Sequence, residues 1–290
     1  MKVGIGLPSY IPWAKNTDVL EWARRADAGT FSSLASIDRL VYRGSDPLIA
    51  LAAAAAVTRR IRLMTTVLLA PLHEPALLAK QAASLDALSG GRLTLGLGVG
   101  AREDDFAAAG TAYKGRGKRF ERQVETMKRI WAGEAYSDKA GAIGPQPVQA
   151  GGPELLFGGY TPAAVQRAGR LADGFITGGM GNPAAARQLF AAFEQAWKAA
   201  GRQGQPRLVS AVYAAVGEDP AGRGGEYLRD YYGERGAQMA QGMIATPQAL
   251  HDALRGFEDA GANELVLWTT IPDLDQLDRL QEIVVKTVSG

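Results

Sequence analysis

The residues of this 290-residue chain that could do chemistry gather just after short apolar runs. Asp38 and Arg39 follow FSSLASI at 31–37. A carboxylate beside a guanidinium can fix a substrate, stabilise developing charge, or form a structural ion pair. GLGVGA at 96–101 closes another run. It satisfies Gly-x-Gly-x-x-Ala, a dinucleotide fingerprint whose glycines let backbone approach a pyrophosphate. That fingerprint belongs on the first strand of its domain, whereas here three strand-helix units come first and the acids of AREDDF follow. Small residues at this point equally suit tight strand packing or approach to a flat ring. LLFGGYTPAAVQRAG at 155–169 ends a run at Gly158-Gly159 and opens a helix at Thr161-Pro162. The amides of Gly159, Tyr160 and the first turn would converge there as in a phosphate site at a helix N-terminus, or the segment is an ordinary capped helix. His73, in PLHEP, is a proton donor or a surface-loop residue. Tyr227, Tyr231, Tyr232, Met239 and Met243 share helical spacing that would cap an apolar pocket or pack an excursion onto the rest of the fold.

These residues need elements to hold them. Eight strand-like runs recur, at 2–7, 31–37, 61–69, 93–99, 154–159, 173–179, 207–216 and 264–270. Between them lie segments of helical period at 17–28, 47–58, 75–88, 117–132, 162–171, 183–200, 247–260 and 274–287. Five of these open with Pro in the first turn, after Asp46, Glu74, Thr161, Asn182 or Thr246; a fixed φ and a missing amide proton suit Pro to that place. Strand-helix alternation implies parallel strands with helical crossovers, and eight repeats match a closed (β/α)8 TIM barrel better than two open sheets. The chain is expected to form one domain over 1–290, with irregular insertions near 134–150 and 217–245 and a further excursion at 100–116. The C-terminal strand ends build the site in such a barrel. They carry Pro8 to Tyr10, Asp38 and Arg39, Thr66 to Pro71, Gly98 to Arg102, Gly158 to Thr161, Gly178 to Met180 and Trp268 to Thr270.

Composition narrows the chemistry. With no Cys there are no disulfides, thiol nucleophiles, zinc-thiolate sites or iron-sulfur ligands. The two His, His73 and His251, have no ligand spacing, so no metal is expected. Lys and Arg number 32 against 30 Asp and Glu without a basic run, which argues against nucleic acid. The longest apolar stretch, LIALAAAAAV at 48–57, is about half of a bilayer span. MKVGIGLP is too short and strand-like for a signal peptide. A cytoplasmic protein without a membrane partner is the expectation, working through an organic cofactor or through carboxylate, Arg, Tyr, Ser or Thr.

HEPALLAKQAASLDALSGGRLTLGLGVGAREDDFAAAG at 73–110 resembles the third helix, fourth strand and following loop of the bacterial-luciferase-like flavin-dependent oxidoreductases. The match includes Leu85-Asp86, Leu88-Ser89, Gly91-Arg92 and the Gly98 to Gly100 turn. The resemblance continues through RGKRFERQVETMKRIWAG at 116–133, LLFGGYTPAAVQRAGRLADGF at 155–175 and the opening VGIGLP, and fades over 134–150 and 217–245.

It implies a (β/α)8 barrel with an insertion, binding reduced FMN or the deazaflavin coenzyme F-420 at the C-terminal mouth. It places a non-prolyl cis peptide at Thr66-Val67 under the ring. It also sets Gly98, Val99 and Gly100, with Gly158, Gly159, Tyr160 and Thr161, near ribityl and phosphate. Asp38 and Arg39 become the catalytic candidates, with one departure: Arg39 stands where many members have a histidine, and Arg is a poor general acid or base. Two mechanisms follow from the resemblance. Reduced FMN from a separate reductase would react with oxygen and oxygenate a small organic substrate, or the deazaflavin would exchange a hydride. The alternatives are a flavin-binding protein without turnover and an NAD(P)-dependent dehydrogenase using GLGVGA. A homodimer is expected by analogy.

Overall fold

The computed structural model describes residues 1–178 and 181–288. Eight parallel strands form a barrel: β1 (Lys2–Gly6), β2 (Ser33–Ser36), β3 (Arg62–Thr65), β4 (Leu93–Gly98), β5 (Glu154–Gly158), β6 (Gly174–Gly178), β7 (Arg207–Ala214) and β8 (Glu264–Thr269). Each strand pairs with its sequence neighbours. Pairing of β1 with β8, from Lys2↔Glu264 to Ile5↔Leu267, closes the circle. Around it run α1 (Asn16–Ala28), α2 (Pro47–Val57), α3 (Pro75–Ser89), α4 (Arg116–Trp131), α5 (Pro162–Leu171), α6 (Pro183–Ala199), α7 (Pro247–Asp259) and α8 (Leu274–Val288). All eight strands and eight crossover helices expected from periodicity are present. Gly179 and Met180, placed at a strand end by the sequence, lie outside the described residues.

Local chemistry sets the helix starts. Asp46, Thr161, Asn182 and Thr246 each accept a first-turn amide, for example Ile49 N on Asp46 Oδ1 at 2.9 Å, while Glu74 makes no side-chain cap. Barrel strands are buried on both faces, so they read as nearly continuous apolar runs. Alternate residues serve two cores. Leu155, Phe157, Leu265 and Leu267 pack under the helices, whereas Leu156, Val266 and Trp268 fill the barrel interior.

The N-terminal end of the barrel is plugged by charge. Arg207 bridges Glu154 and Glu264. Ser32 Oγ and Ser33 Oγ each donate to Glu264 Oε1 at 2.6 Å, and Thr94 Oγ1 donates to Glu154 Oε2 at 2.9 Å. Burial alone would raise the Glu264 carboxyl, but the Arg207 guanidinium and the two serine hydroxyls hold it below the usual carboxylate range.

Two insertions are more regular than expected. The 217–245 segment holds a helix over Pro220–Tyr232, a 3-10 turn over Gly233–Arg235 and a short helix over Gly236–Gln241. Asp219 caps the first of these through Gly222 N at 3.1 Å, the same acid-proline start used elsewhere but hidden among glycines. Within 134–150, Ala135–Ser137 and Ala140–Ala142 form an exposed antiparallel hairpin. Asp86 then gathers the amides of Val148 and Gln149 at 2.8 and 3.0 Å. The 100–116 excursion contains a helix over Glu103–Ala108. Among the described residues no helix is long and apolar enough to cross a membrane.

Candidate active site

The floor of the C-terminal mouth is built where the third strand breaks. β3 stops at Thr65, the Thr66-Val67 peptide is cis as the resemblance implies, and pairing with β4 resumes at Leu68–Leu69. Thr66 is locked on three sides: its amide donates to Ser36 O at 2.8 Å, its hydroxyl lies 3.4 Å from the same oxygen, and Trp268 Nε1 donates to that hydroxyl at 3.0 Å. Val67 then turns into a notch made by glycines. A Cβ on Gly98 would sit 2.6 Å from Val67 Cγ2, one on Gly158 3.2 Å from Val67 Cγ1, and one on Gly96 1.9 Å from Thr65 O. The Gly96 and Gly98 spacings leave no room for a side chain and the Gly158 spacing is tight. Gly96 and Gly98 of GLGVGA are taken up by this packing, and the helix that follows opens with Glu103, Asp104 and Asp105, which disfavour a pyrophosphate. Tight strand packing is therefore why Gly96 and Gly98 are glycine.

Asp38 and Arg39 do not pair with each other. Asp38 Oδ2 accepts Leu69 N at 2.8 Å and lies 3.7 Å from His73 Nε2. Arg39 turns the other way. It donates to Tyr231 O at 3.0 Å and Asp104 Oδ2 at 3.2 Å, and its guanidinium carbon stands 5.4 Å from the ring centres of both Tyr42 and Tyr231. Burial alone would raise Asp104, but the Asp105 amide and Arg39 hold it below the ordinary carboxylate range. His73, one of two histidines in the chain, thus stands beside Asp38 at the mouth and is not an isolated loop residue. Its position after a strand end was the available signal; the link to Asp38, 35 residues earlier, was not.

One strand further round, Thr161 Oγ1 caps α5 through Ala164 N at 3.2 Å. Gly159 is required because a Cβ there would meet Ala164 Cβ at 2.5 Å. Tyr160 bridges outward, its hydroxyl donating to Gly178 O and accepting Gly178 N at 3.2 Å. Gly100, at φ +76°, turns the β4 exit, and its carbonyl accepts Arg116 Nε at 2.9 Å. The structure brings Val67, Val99, Gly100, Gly158 and Gly159 to one half-exposed rim, with Tyr160 and Thr161 exposed beside it.

The opposite side of the mouth is roofed. The Pro220–Tyr232 helix packs its tyrosines onto the barrel, an arrangement that serves both readings of that spacing. Tyr227 lies 5.6 Å from Tyr10, 6.1 Å from Tyr213 and 5.7 Å from Tyr231, centre to centre, and Tyr213 lies 5.0 Å from Trp268. Burial pushes the Tyr10, Tyr213 and Tyr227 phenols well up, so they stay protonated donors. Asp230 fastens this roof to the β2 exit, receiving Tyr42 OH and Arg43 Nη2 at 2.6 Å each. Among the described residues, Arg39 Nε and the Tyr227 hydroxyl are buried without a partner. The half-exposed Val67 and glycine rim beside a helix N-terminus has the shape and polarity to take a planar ring with an anionic tail. The described residues contain no cluster of three or more His, Asp or Glu able to hold a metal.

Comparison with known proteins agrees with this fold. An uncharacterised Mycobacterium tuberculosis protein is 34% identical over 194 residues, 64% of this chain and 68% of its own length. An FMNH2-dependent dimethylsulfone monooxygenase of Pseudomonas putida is 31% identical over 134 residues, 43% of this chain and 37% of that protein. An F420-dependent glucose-6-phosphate dehydrogenase of Kineococcus radiotolerans is 32% identical over 180 residues, 58% of this chain and 52% of that protein. In fold, the crystal structure of the monooxygenase RslO1 from Streptomyces bottropensis superposes with a TM-score of 0.81 at 23% identity, covering 100% of this chain and 99% of that one. The model of the luciferase-like monooxygenase family matches residues 3–287, and with the barrel closed around a mouth of this construction the chain belongs to that family.

Proposed function

We propose that the protein is a flavin-dependent oxidoreductase that holds reduced FMN or coenzyme F-420 on the open side of the mouth and acts on a small organic substrate. One observation carries this reading: the half-exposed Val67 floor lies directly beside the Gly158 to Thr161 turn that starts α5. Gly98, Val99 and Gly100 would flank the tail of the bound group, and the first-turn amides of α5 would receive its phosphate. Thr66, fixed by Ser36 and Trp268, holds the Val67 backbone in place, and Val67 would support the ring of the bound group. The tyrosine roof would exclude water from the reacting face. Bound cofactor supplies the redox equivalents, while these residues bind, orient and shield it. A reductase supplying reduced FMN and a second copy of this chain are the partners of this reading.

Anaerobic calorimetric titration of the protein with reduced FMN, coenzyme F-420 and NADPH tests it. Saturable binding of one of the first two, weakened at least about tenfold (~1.4 kcal/mol) by Gly159→Asp, is expected. Folded Gly159→Asp with unchanged affinity would put the phosphate elsewhere, and binding of NADPH alone would restore the dinucleotide reading. Tight binding with no turnover of any substrate under oxygen or with F-420 would make the protein a carrier.

A further inference from the structure

We propose that His73 is the proton-transfer residue of this mouth and that Asp38 is its positioning residue, an assignment that rests on the oxidoreductase reading above. The two come from different strands. Asp38 leaves the end of β2, while His73 ends the 3-10 turn Ala70–Leu72 that follows the broken third strand. Asp38 is nearly buried, with 9% of its side chain exposed, and Leu69 N fixes the same Oδ2 that lies 3.7 Å from His73 Nε2. The histidine backbone is held as well, its amide donating to Ala70 O at 3.0 Å and its carbonyl accepting Gln123 Nε2 at 2.7 Å. Its side chain keeps 27% exposure, enough to meet a bound reactant.

The neighbours leave Asp38 as the charge that acts on the ring. On α4 the neutral Gln123 contacts the His73 backbone carbonyl, and the first-turn cations are hydrogen-bonded elsewhere, Arg116 to Gly100 O and Arg119 Nη2 to Ala112 O. β4 carries no charged residue, and Glu74, next in the chain, is exposed. Arg39 is committed to Tyr231 and Asp104, and a guanidinium is a poor general acid or base. Burial raises the Tyr213 and Tyr227 phenols, so they hold their protons. At 3.7 Å the Asp38 carboxylate is beyond hydrogen-bond reach but favours a hydrogen on Nε2 electrostatically, which would leave the Nδ1 lone pair to the reactant. Nδ1 takes a proton from an O–H or C–H of the reactant and becomes imidazolium, Asp38 opposes the new charge, and the reverse step returns the proton.

The test has two parts. In a His251→Gln background, ¹⁵N imidazole shifts of the single remaining histidine should report the Nε2–H tautomer, and Asp38→Asn should abolish that preference. His73→Gln should lower kcat by about 10²-fold or more with KM and cofactor affinity held within about twofold, and added imidazole should restore turnover to His73→Ala. Asp38→Asn should fall between His73→Gln and the native chain. Absence of an Nε2–H preference overturns the assignment, as does full turnover in folded His73→Gln or equal loss of cofactor affinity. Failure of all flavin and F-420 binding would instead remove the oxidoreductase reading, and the tautomer measurement would still decide whether Asp38 sets His73.

Discussion

At one end of the barrel Arg207 lies between Glu154 and Glu264, with Ser32, Ser33 and Thr94 filling the remaining valences. At the other end Arg39 Nε, Asp105 Oδ2 and the Tyr227 hydroxyl are buried without partners. Both ends hide polar groups inside the same fold, but only the first completes its network. A half-satisfied buried network costs stability, and in the proposed reading the C-terminal end carries that cost in exchange for a ligand. In the (β/α)8 architecture the N-terminal face serves stability and the C-terminal face serves chemistry, and the Arg207 network fits the first of these roles.

The contrast can be broken at three strengths. Arg207→Ala should be the most damaging to the fold, because it leaves Glu264 charged and almost fully buried; about 3–5 kcal/mol should be lost in urea unfolding, with cofactor affinity of the folded fraction unchanged. The same site predicts the acid response. Since the folded-state Glu264 carboxyl is held below its usual value of 4.5, its contribution is present above that pH and is lost as pH falls through the lower folded value. Thermal melts from pH 7 to 3 should therefore show an acid limb that Glu264→Gln flattens. Gly98→Val, at the mouth, should cost about 1–3 kcal/mol through overpacking against Val67 and should weaken reduced FMN or F-420 binding further than any bottom-end change. Tyr227→Phe should be the mildest, changing stability by at most about 1 kcal/mol and in the stabilising direction, because it removes an unpaired buried hydroxyl, while lowering substrate affinity. A large loss of stability in Tyr227→Phe would show that its hydroxyl is already satisfied and would erase the contrast.

Element type and order were legible because they rest on local rules. Asp46-Pro47, Thr161-Pro162, Asn182-Pro183 and Thr246-Pro247 announce helices whether or not anything packs on them. The Asp219-Pro220 start obeys the same rule, but GRGG at 222–225 lowers helix propensity, and packing of Tyr227 and Leu228 onto the barrel overrides that deficit. In the mouth, GLGVGA was ambiguous since a glycine needed for strand contact and one needed for a ligand share one letter. Only the position of Val67 shows which steric demand Gly96 and Gly98 meet.

By itself, the amino-acid sequence determined the alternation of strands and helices, the barrel they close and the strand ends that face the mouth, all of which follow from periodicity and capping within a few residues. The tertiary structure decided which neighbours meet across strands. Asp38 and Arg39, adjacent in sequence, part company toward His73 and Tyr231, and Arg207 finds two carboxylates 53 and 57 residues away. Such pairings depend on register and loop path around a closed sheet. Those are set by the summed packing of the whole barrel, not by the residues that finally touch.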